Sequence, residues 1–380
     1  MATKVYLDYA AATPLDQEVF ALMRPYFSRQ FYNPSADYAA ARDTKKTLNA
    51  ARSKVAYWLG AQTSEIIFTA GGTEANNLAL HGLMAGYPGA KLVASSIEHE
   101  SILNPARRYA HSEAPVLLDG RVDIAKLEDQ IDDNTVLVSV MYANNEIGVI
   151  EPLRKIAVLL DKIKRSRKER GVKLPLIYHA DACQAANYLD LHVSRLGVDM
   201  MTLNGGKIYG PKQSGVLYVK RGISLTPQIE GGGQEFNLRS GTENVPSAVG
   251  LAAALDKAQS IRSEEAVRLT LLRDYFIDRL TNDLKAEING SKEFRLPNNV
   301  HATFKQQDNE YLLIGMDRLG IMAAAGSACS ASKEESSHVL RSLGLSDQEA
   351  RSSIRFTLGR QTTKGDIDKT VKVIKQLVSN

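Results

Sequence analysis

Short apolar runs rich in branched residues recur along the first half of the chain. Each closes in a polar or glycine-rich turn and is followed by helical periodicity. Ile66-Ile67-Phe68-Thr69, Lys91-Leu92-Val93-Ala94, Thr135 to Val140 and Pro175-Leu176-Ile177-Tyr178 are the clearest. This alternation predicts an α/β fold, with any ligand lying beyond the carboxyl ends of the strands. Thr13-Pro14-Leu15-Asp16 predicts a helix start, with Thr13 as N-cap, Pro14 in the first turn and a helix over roughly the next dozen residues. From about Gly250 a long charged helical pattern runs through Arg268, Arg273 and Arg279. A second alternating region follows around Arg295 to Arg360. The expected division is a large domain over 16–255 and a smaller α+β domain from 1–15 and 256–380.

A length of 380 residues with 44% hydrophobic positions fits such a two-domain chain. The net charge of +4, from 47 basic and 43 acidic residues, is too even to call for nucleic acid or an anionic membrane as partner. The basic run Lys162, Lys164, Arg165, Arg167, Lys168, Arg170 and Lys173 reads as a solvated helix end. Two cysteines exclude a disulfide framework and lack the spacing of a zinc or iron–sulfur site, so no metal and a reducing compartment are expected. The first residues hold no apolar signal core and no segment is long enough to span a bilayer, which makes a cytoplasmic location the expectation.

The chemistry concentrates after the strands. Lys207, in Asn204-Gly205-Gly206-Lys207-Ile208-Tyr209-Gly210-Pro211-Lys212, has an amine that can condense with an aldehyde. Its flanking glycines allow closer approach than those of its rivals Lys212 and Lys220. Asp181, ending an apolar run, is a carboxylate that needs a cation, and a protonated pyridine nitrogen would be one. This pairing points to pyridoxal phosphate. Gly71-Gly72-Thr73, between a strand and a helix, suits an anion, since glycine admits close approach and the helix start presents free amides. His99 follows a predicted strand, where it could stack on a planar ring and carry protons. Arg355 and the Arg239-Ser240-Gly241-Thr242 segment offer guanidinium and hydroxyl donors to anions, and Asn33-Pro34 and Asn145 present turn amides. Cys329 lies in the small-residue run Ala325-Gly326-Ser327-Ala328-Cys329-Ser330, where a thiol is a liability unless used. Cys183 reads as buried packing.

The combination resembles the NifS/IscS class of cysteine desulfurases among fold-type I pyridoxal-phosphate enzymes. The similarity runs from Tyr6-Leu7-Asp8-Tyr9-Ala10-Ala11 through Thr73-Glu74-Ala75-Asn76-Asn77, Asn144-Asn145-Glu146-Ile147-Gly148, Gly231-Gly232-Gly233-Gln234-Glu235 and Gly326-Ser327-Ala328-Cys329 to Arg355–Arg360. It implies a large, mostly parallel-sheet domain beside a smaller one. It assigns the cofactor linkage to Lys207, the pyridine nitrogen to Asp181, the ring oxygen to Gln184 and ring stacking to His99. Gly72, Thr73 and Asn204 would hold the phosphate, with Thr242 reaching across from the second subunit of a homodimer. Asn33, Asn145 and Arg355 would bind the carboxylate end of L-cysteine, and Cys329 would carry the persulfide to an acceptor such as an iron–sulfur scaffold or a thiolation enzyme. Related readings are a selenocysteine lyase or aminotransferase, or a weakly active sulfur-transfer scaffold. Asn204-Gly205-Gly206 departs from the family's Ser-x-His and implies weaker cofactor retention, to be tested by Gly206→His. The chain ends at Asn380 without the longer tail that some members use to dock an iron–sulfur scaffold, which leaves partner choice open.

Overall fold

The computed structural model describes residues 4–326 and 336–378. In chain order its strands are β1 (Val5–Tyr6), β2 (Ile66–Thr69), β3 (Lys91–Ser95), β4 (Ala110–Ala114), β5 (Thr135–Ser139), β6 (Ile177–Asp181), β7 (Met200–Asn204) and β8 (Gly215–Val219). They continue with β9 (Glu287–Ile288), β10 (Asn299–Thr303), β11 (Ile321–Met322) and β12 (Ser353–Thr357). A seven-stranded sheet runs in the order β2-β8-β7-β6-β5-β3-β4. Only β8 is antiparallel to its neighbours, so the other strands point their carboxyl ends to one edge. A three-stranded antiparallel sheet, β12-β10-β9, and the parallel pair β1-β11 complete the set.

Every residue of β2, β5 and β8 is buried, as befits strands covered by helices on both faces. Successive side chains leave the sheet on opposite sides. Ile67 and Leu217 meet Leu78 and Leu80 of the helix Gly72–Met84 on one face. Phe68 and Val216 join Leu48 and Leu251 of the helices Ala39–Leu59 and Val245–Ser260 on the other.

Four sequence expectations shift. The helix near the amino end is Gln17–Met23, capped by Asp16, whose Oδ1 accepts from the Glu18 amide at 2.9 Å. Thr13 is not its N-cap. The Thr13 hydroxyl instead donates to the Gly206 carbonyl at 3.1 Å and accepts from the Tyr209 amide at 2.8 Å, so tertiary contacts outbid the local cap. Pro175 and Leu176 precede β6 rather than opening it, because proline has no N–H for a ladder. The charged pattern around Gly250 is two helices, Val245–Ser260 and Arg262–Leu284. The basic run is also less solvated than its composition implies. Arg167 is 2% exposed and donates to the Asp132 and Thr135 carbonyls, tying the helix Leu153–Glu169 to the start of β5.

Candidate active site

The carboxyl ends of β3, β5, β6 and β7, with the start of the helix Gly72–Met84, surround a cavity of about 180 Å³. Lys207 enters from the single turn Gly205–Lys207 that follows β7. Its Nζ donates to the carbonyls of Ala10 at 2.8 Å and Ala11 at 2.6 Å, and Asn187 fixes its backbone by donating to the Lys207 carbonyl at 2.7 Å. Gln184 donates to the same Ala10 carbonyl at 3.0 Å.

Asp181 ends β6 and is 8% exposed. Its Oδ1 accepts from the Cys183 amide at 2.9 Å and its Oδ2 from Asn76 Nδ2 at 2.7 Å. Both partners are neutral. No ion pair joins Asp181 to a cation among the described residues, and a buried carboxylate is costly without one, so Asp181 favours a positive charge placed beside it in the cavity.

From Asp181 a chain of hydrogen bonds leads to the imidazole. Asn76 Nδ2 also donates to Ser101 Oγ at 2.8 Å, and Ser101 Oγ lies 2.8 Å from His99 Nδ1. The Ser101 amide donates to the same Nδ1 at 3.1 Å, so Nδ1 is an acceptor and the proton of the neutral ring sits on Nε2. Beneath this row Glu98 is fully buried and accepts from the Met141 amide at 2.6 Å. Burial first, and the nearby Asp181 charge second, push the Glu98 carboxyl well above the usual carboxylate range.

The opposite wall comes from the second sheet. Arg355 lies in the middle of β12 and is 1% exposed. Its Nη2 pairs with Asp8 Oδ1 at 2.7 Å and its Nη1 donates to the Asn145 carbonyl at 3.0 Å, while Nε is buried without a partner. The Nε–H of a fork built for carboxylates is therefore left unsatisfied, on a residue that lines the cavity. Asn145 lines the same wall.

Next to the cavity, and sharing Gly72, Thr73, Asn204 and Lys207 with it, is a wider opening of about 450 Å³. The first amides of the helix Gly72–Met84 face it without intrahelical acceptors, which is an arrangement suited to an anion. Gly72 cannot be larger: a Cβ there would lie 2.8 Å from Cys183 Sγ and 3.4 Å from Asn204 Nδ2. Cys183 thus belongs to the site rather than to remote packing, because the turn after β6 carries it under the helix start. Burial, and then the Asp181 carboxylate, push its thiol up, so it stays protonated.

Lys207, His99, Gly72, Thr73, Asn145, Asp181, Gln184, Asn204 and Arg355 therefore converge on one site. Asn33 does not. It is exposed, and its Oδ1 accepts from the Ser35 amide at 2.9 Å in a turn set by Pro34. Thr242 is exposed and also outside the cavity. Cys329 lies outside the described residues. Sequence reasoning passed over Asn76, Ser101, Glu98 and Asp8. Asn76 had a signal, since it is four positions beyond Gly72 and so on the same helix face. Glu98 and Asp8 had none, because their partners Met141 and Arg355 are distant in the chain, and Ser101 stood only two positions from His99 without a pattern to mark it.

A family model described as Aminotransferase class-V matches residues 5–370. The cysteine desulfurase IscS of Dictyoglomus turgidum is 39% identical, with 100% of this chain and 95% of that protein covered. A solved NifS-like protein superposes with a TM-score of 0.91 at 30% identity, over 99% of this chain and 100% of its own. A structure of SspA in complex with cysteine superposes with a TM-score of 0.81 at 33% identity, over 94% and 99% of the two chains.

Proposed function

Since the chain belongs to the class-V aminotransferase family, within its cysteine desulfurases, we propose that it withdraws sulfur from L-cysteine, forming L-alanine and a persulfide on Cys329. The family's cofactor is pyridoxal phosphate, and the cavity fits it. Asp181 is a buried carboxylate with no ion pair among the described residues, Gly72 leaves a cradle that a single Cβ would fill, and Asn76 Oδ1 is buried without a partner beside them. When bound, this cofactor supplies an aldehyde for amines and a ring that can store an electron pair.

The residues divide the remaining work. Asp181 would hold a proton on the ring nitrogen of the bound cofactor, and the Asn76–Ser101 bridge keeps Asp181 and His99 in one fixed array. The Nζ of Lys207 would take the Cα proton of the substrate once it is free as an amine and return it to Cα when alanine forms. Arg355 and Asn145 seat the substrate carboxylate, with Asp8 holding the guanidinium in place. The Cys329 thiolate attacks the substrate sulfur. An S–S bond forms, the C–S bond breaks with its electron pair left on carbon, and that carbon is protonated to become the alanine methyl group. His99, with Nδ1 held by Ser101 and Nε2 left to carry the proton, lines the cavity and would act as the proton carrier. The thiol lost from cysteine leaves as Cys329 persulfide, so atoms and electrons balance without a further oxidant.

The buried Asp181, hydrogen-bonded to neutral donors and sharing one cavity with Lys207 and Arg355, carries this reading. The larger sheet falls within 16–255 and the three-stranded sheet within 256–380, which supports a two-domain reading. Because Thr242 is exposed and outside the cavity, its role at the phosphate requires a second copy of the chain, and we place the working enzyme as a homodimer. A sulfur-acceptor protein, an iron–sulfur scaffold or a thiolation enzyme, would take the persulfide in the cytoplasm. The deciding experiment is alanine formation from L-cysteine by the protein supplied with pyridoxal phosphate and reductant, beside Cys329→Ala. Alanine that depends on Cys329 is expected. A lysine-bound cofactor spectrum without alanine from L-cysteine would move the assignment to another substrate.

A further inference from the structure

The anion end of the site has little positive charge of its own. Gly206 contributes only backbone, and Asn204 Oδ1 is occupied by the Gly206 amide at 3.0 Å. Lys207 is directed to the Ala10 and Ala11 carbonyls. Glu74 also borders the opening, but it is paired with Arg239 at 3.0 Å and accepts from the Ala70 amide at 2.9 Å. A phosphate group held there by amides alone would keep most of its charge uncompensated.

Lys212 is placed to supply the missing cation. It is exposed and lines the opening with Gly72, Thr73, Asn204 and Gly206. Its Nζ donates to the Thr13 carbonyl at 3.1 Å, and no carboxylate among the described residues pairs with it. Thr13 is itself fixed: it is 2% exposed, and its hydroxyl bonds to the Gly206 carbonyl and the Tyr209 amide. A Cβ at position 206 would meet Lys212 Cγ at 3.5 Å, so the lysine stem crosses the space into which a residue-206 side chain would grow. The turn presenting it holds two non-glycine residues in the left-handed region, Tyr209 at φ 62° and Gln213 at φ 56°. Such conformations are strained for residues with a side chain and persist where the surroundings enforce them.

We propose that Lys212 is a phosphate-binding residue of this chain, giving the cofactor's phosphate the cationic contact that Gly206 cannot. This rests on the pyridoxal-phosphate reading above. The test compares pyridoxal 5′-phosphate with pyridoxal, which lacks the phosphate, by titrating each into cofactor-stripped protein and following the absorbance of the lysine-bound form. Lys212→Met, which keeps the stem, should raise the apparent Kd for pyridoxal 5′-phosphate about tenfold and leave that for pyridoxal unchanged. Unchanged affinity for pyridoxal 5′-phosphate would overturn the proposal. An equal loss for both probes would also overturn it, since Lys212 would then act only as a tether for Thr13. Failure of the unsubstituted protein to bind either probe at Lys207 would instead overturn the functional reading beneath it.

Discussion

The two ends of the site are built from different materials. At the ring end, side chains hold one another: Asp181, Asn76, Ser101 and His99 form a continuous hydrogen-bonded row from β6 to the turn after β3. At the anion end, glycine and backbone amides do most of the holding, and the charged groups nearby are partly exposed. A buried row of neutral donors around one carboxylate has a single good geometry, because each unsatisfied member would cost the full desolvation of its polar atom. A backbone cradle keeps its amides when side chains around it change, as long as the new side chain has room, which Gly72 does not offer. The ring end should therefore answer to substitution in rate, and the anion end in cofactor affinity.

The largest effect should follow Asp181→Ala, with alanine formation at saturating cofactor reduced by about a thousandfold or more, because nothing else in the cavity can hold the ring proton. Asp181→Asn should fare no better, being unable to carry the charge. An asparagine variant that kept a third of the rate would break the contrast between the two ends. Next comes Arg355→Lys, which keeps a charge near Asp8 but removes the planar fork. The KM for L-cysteine should rise by about tenfold to a hundredfold with a smaller change in kcat, as steady-state kinetics would reveal. A change confined to kcat would remove Arg355 from substrate seating.

Gly72→Ala should weaken cofactor binding by about tenfold through the contact with Cys183 Sγ, and Cys183→Ala in the same chain should restore it. Absence of that rescue in a cofactor titration would mean that the anion end is set by something other than this contact. The smallest effect concerns His179, two positions before Asp181 on β6 and fully buried between Ser139 and Thr202. Burial lowers its pKa to about 4 from an ordinary 6.5. Its contribution to stability is thus complete above pH 6.5 and is lost as pH falls through about 4, where the folded state resists the proton that the unfolded chain accepts. Thermal melts of the native protein and of His179→Gln should converge over that window. Parallel curves would show that the ring end is indifferent to what lies beneath it.

Much of the site was legible in the chain because its parts follow strands. Lys207, Asp181, Gly72 and His99 each stand just past an apolar run, where an α/β sheet presents its ligands. Arg355 was legible as a cation but not as a buried one. Its partner Asp8 is 347 positions away, and the two meet only because Asp8 bridges to Thr357 beside β12. Cys183 was misread for the opposite reason: a small apolar residue at a strand end looks like packing until the helix start is laid over it. Thr13 carried a sound local capping pattern, yet Gly206 and Tyr209 offered its hydroxyl two buried partners.

Sequence by itself determined the alternation of strand and helix, the edge on which the chemistry gathers and the residue types needed for a lysine-bound cofactor. These depend on hydrophobic period and on the intrinsic reactivity of single side chains, both of which are local. Tertiary structure alone decided which donors satisfy Asp181, that Arg355 Nε is buried without a partner, that Cys183 crowds Gly72 and that the stem of Lys212 lies beside Gly206. Those are matters of burial and of distance between residues far apart in the chain. Hydrogen-bond partners and desolvation costs exist only once the chain has closed around them.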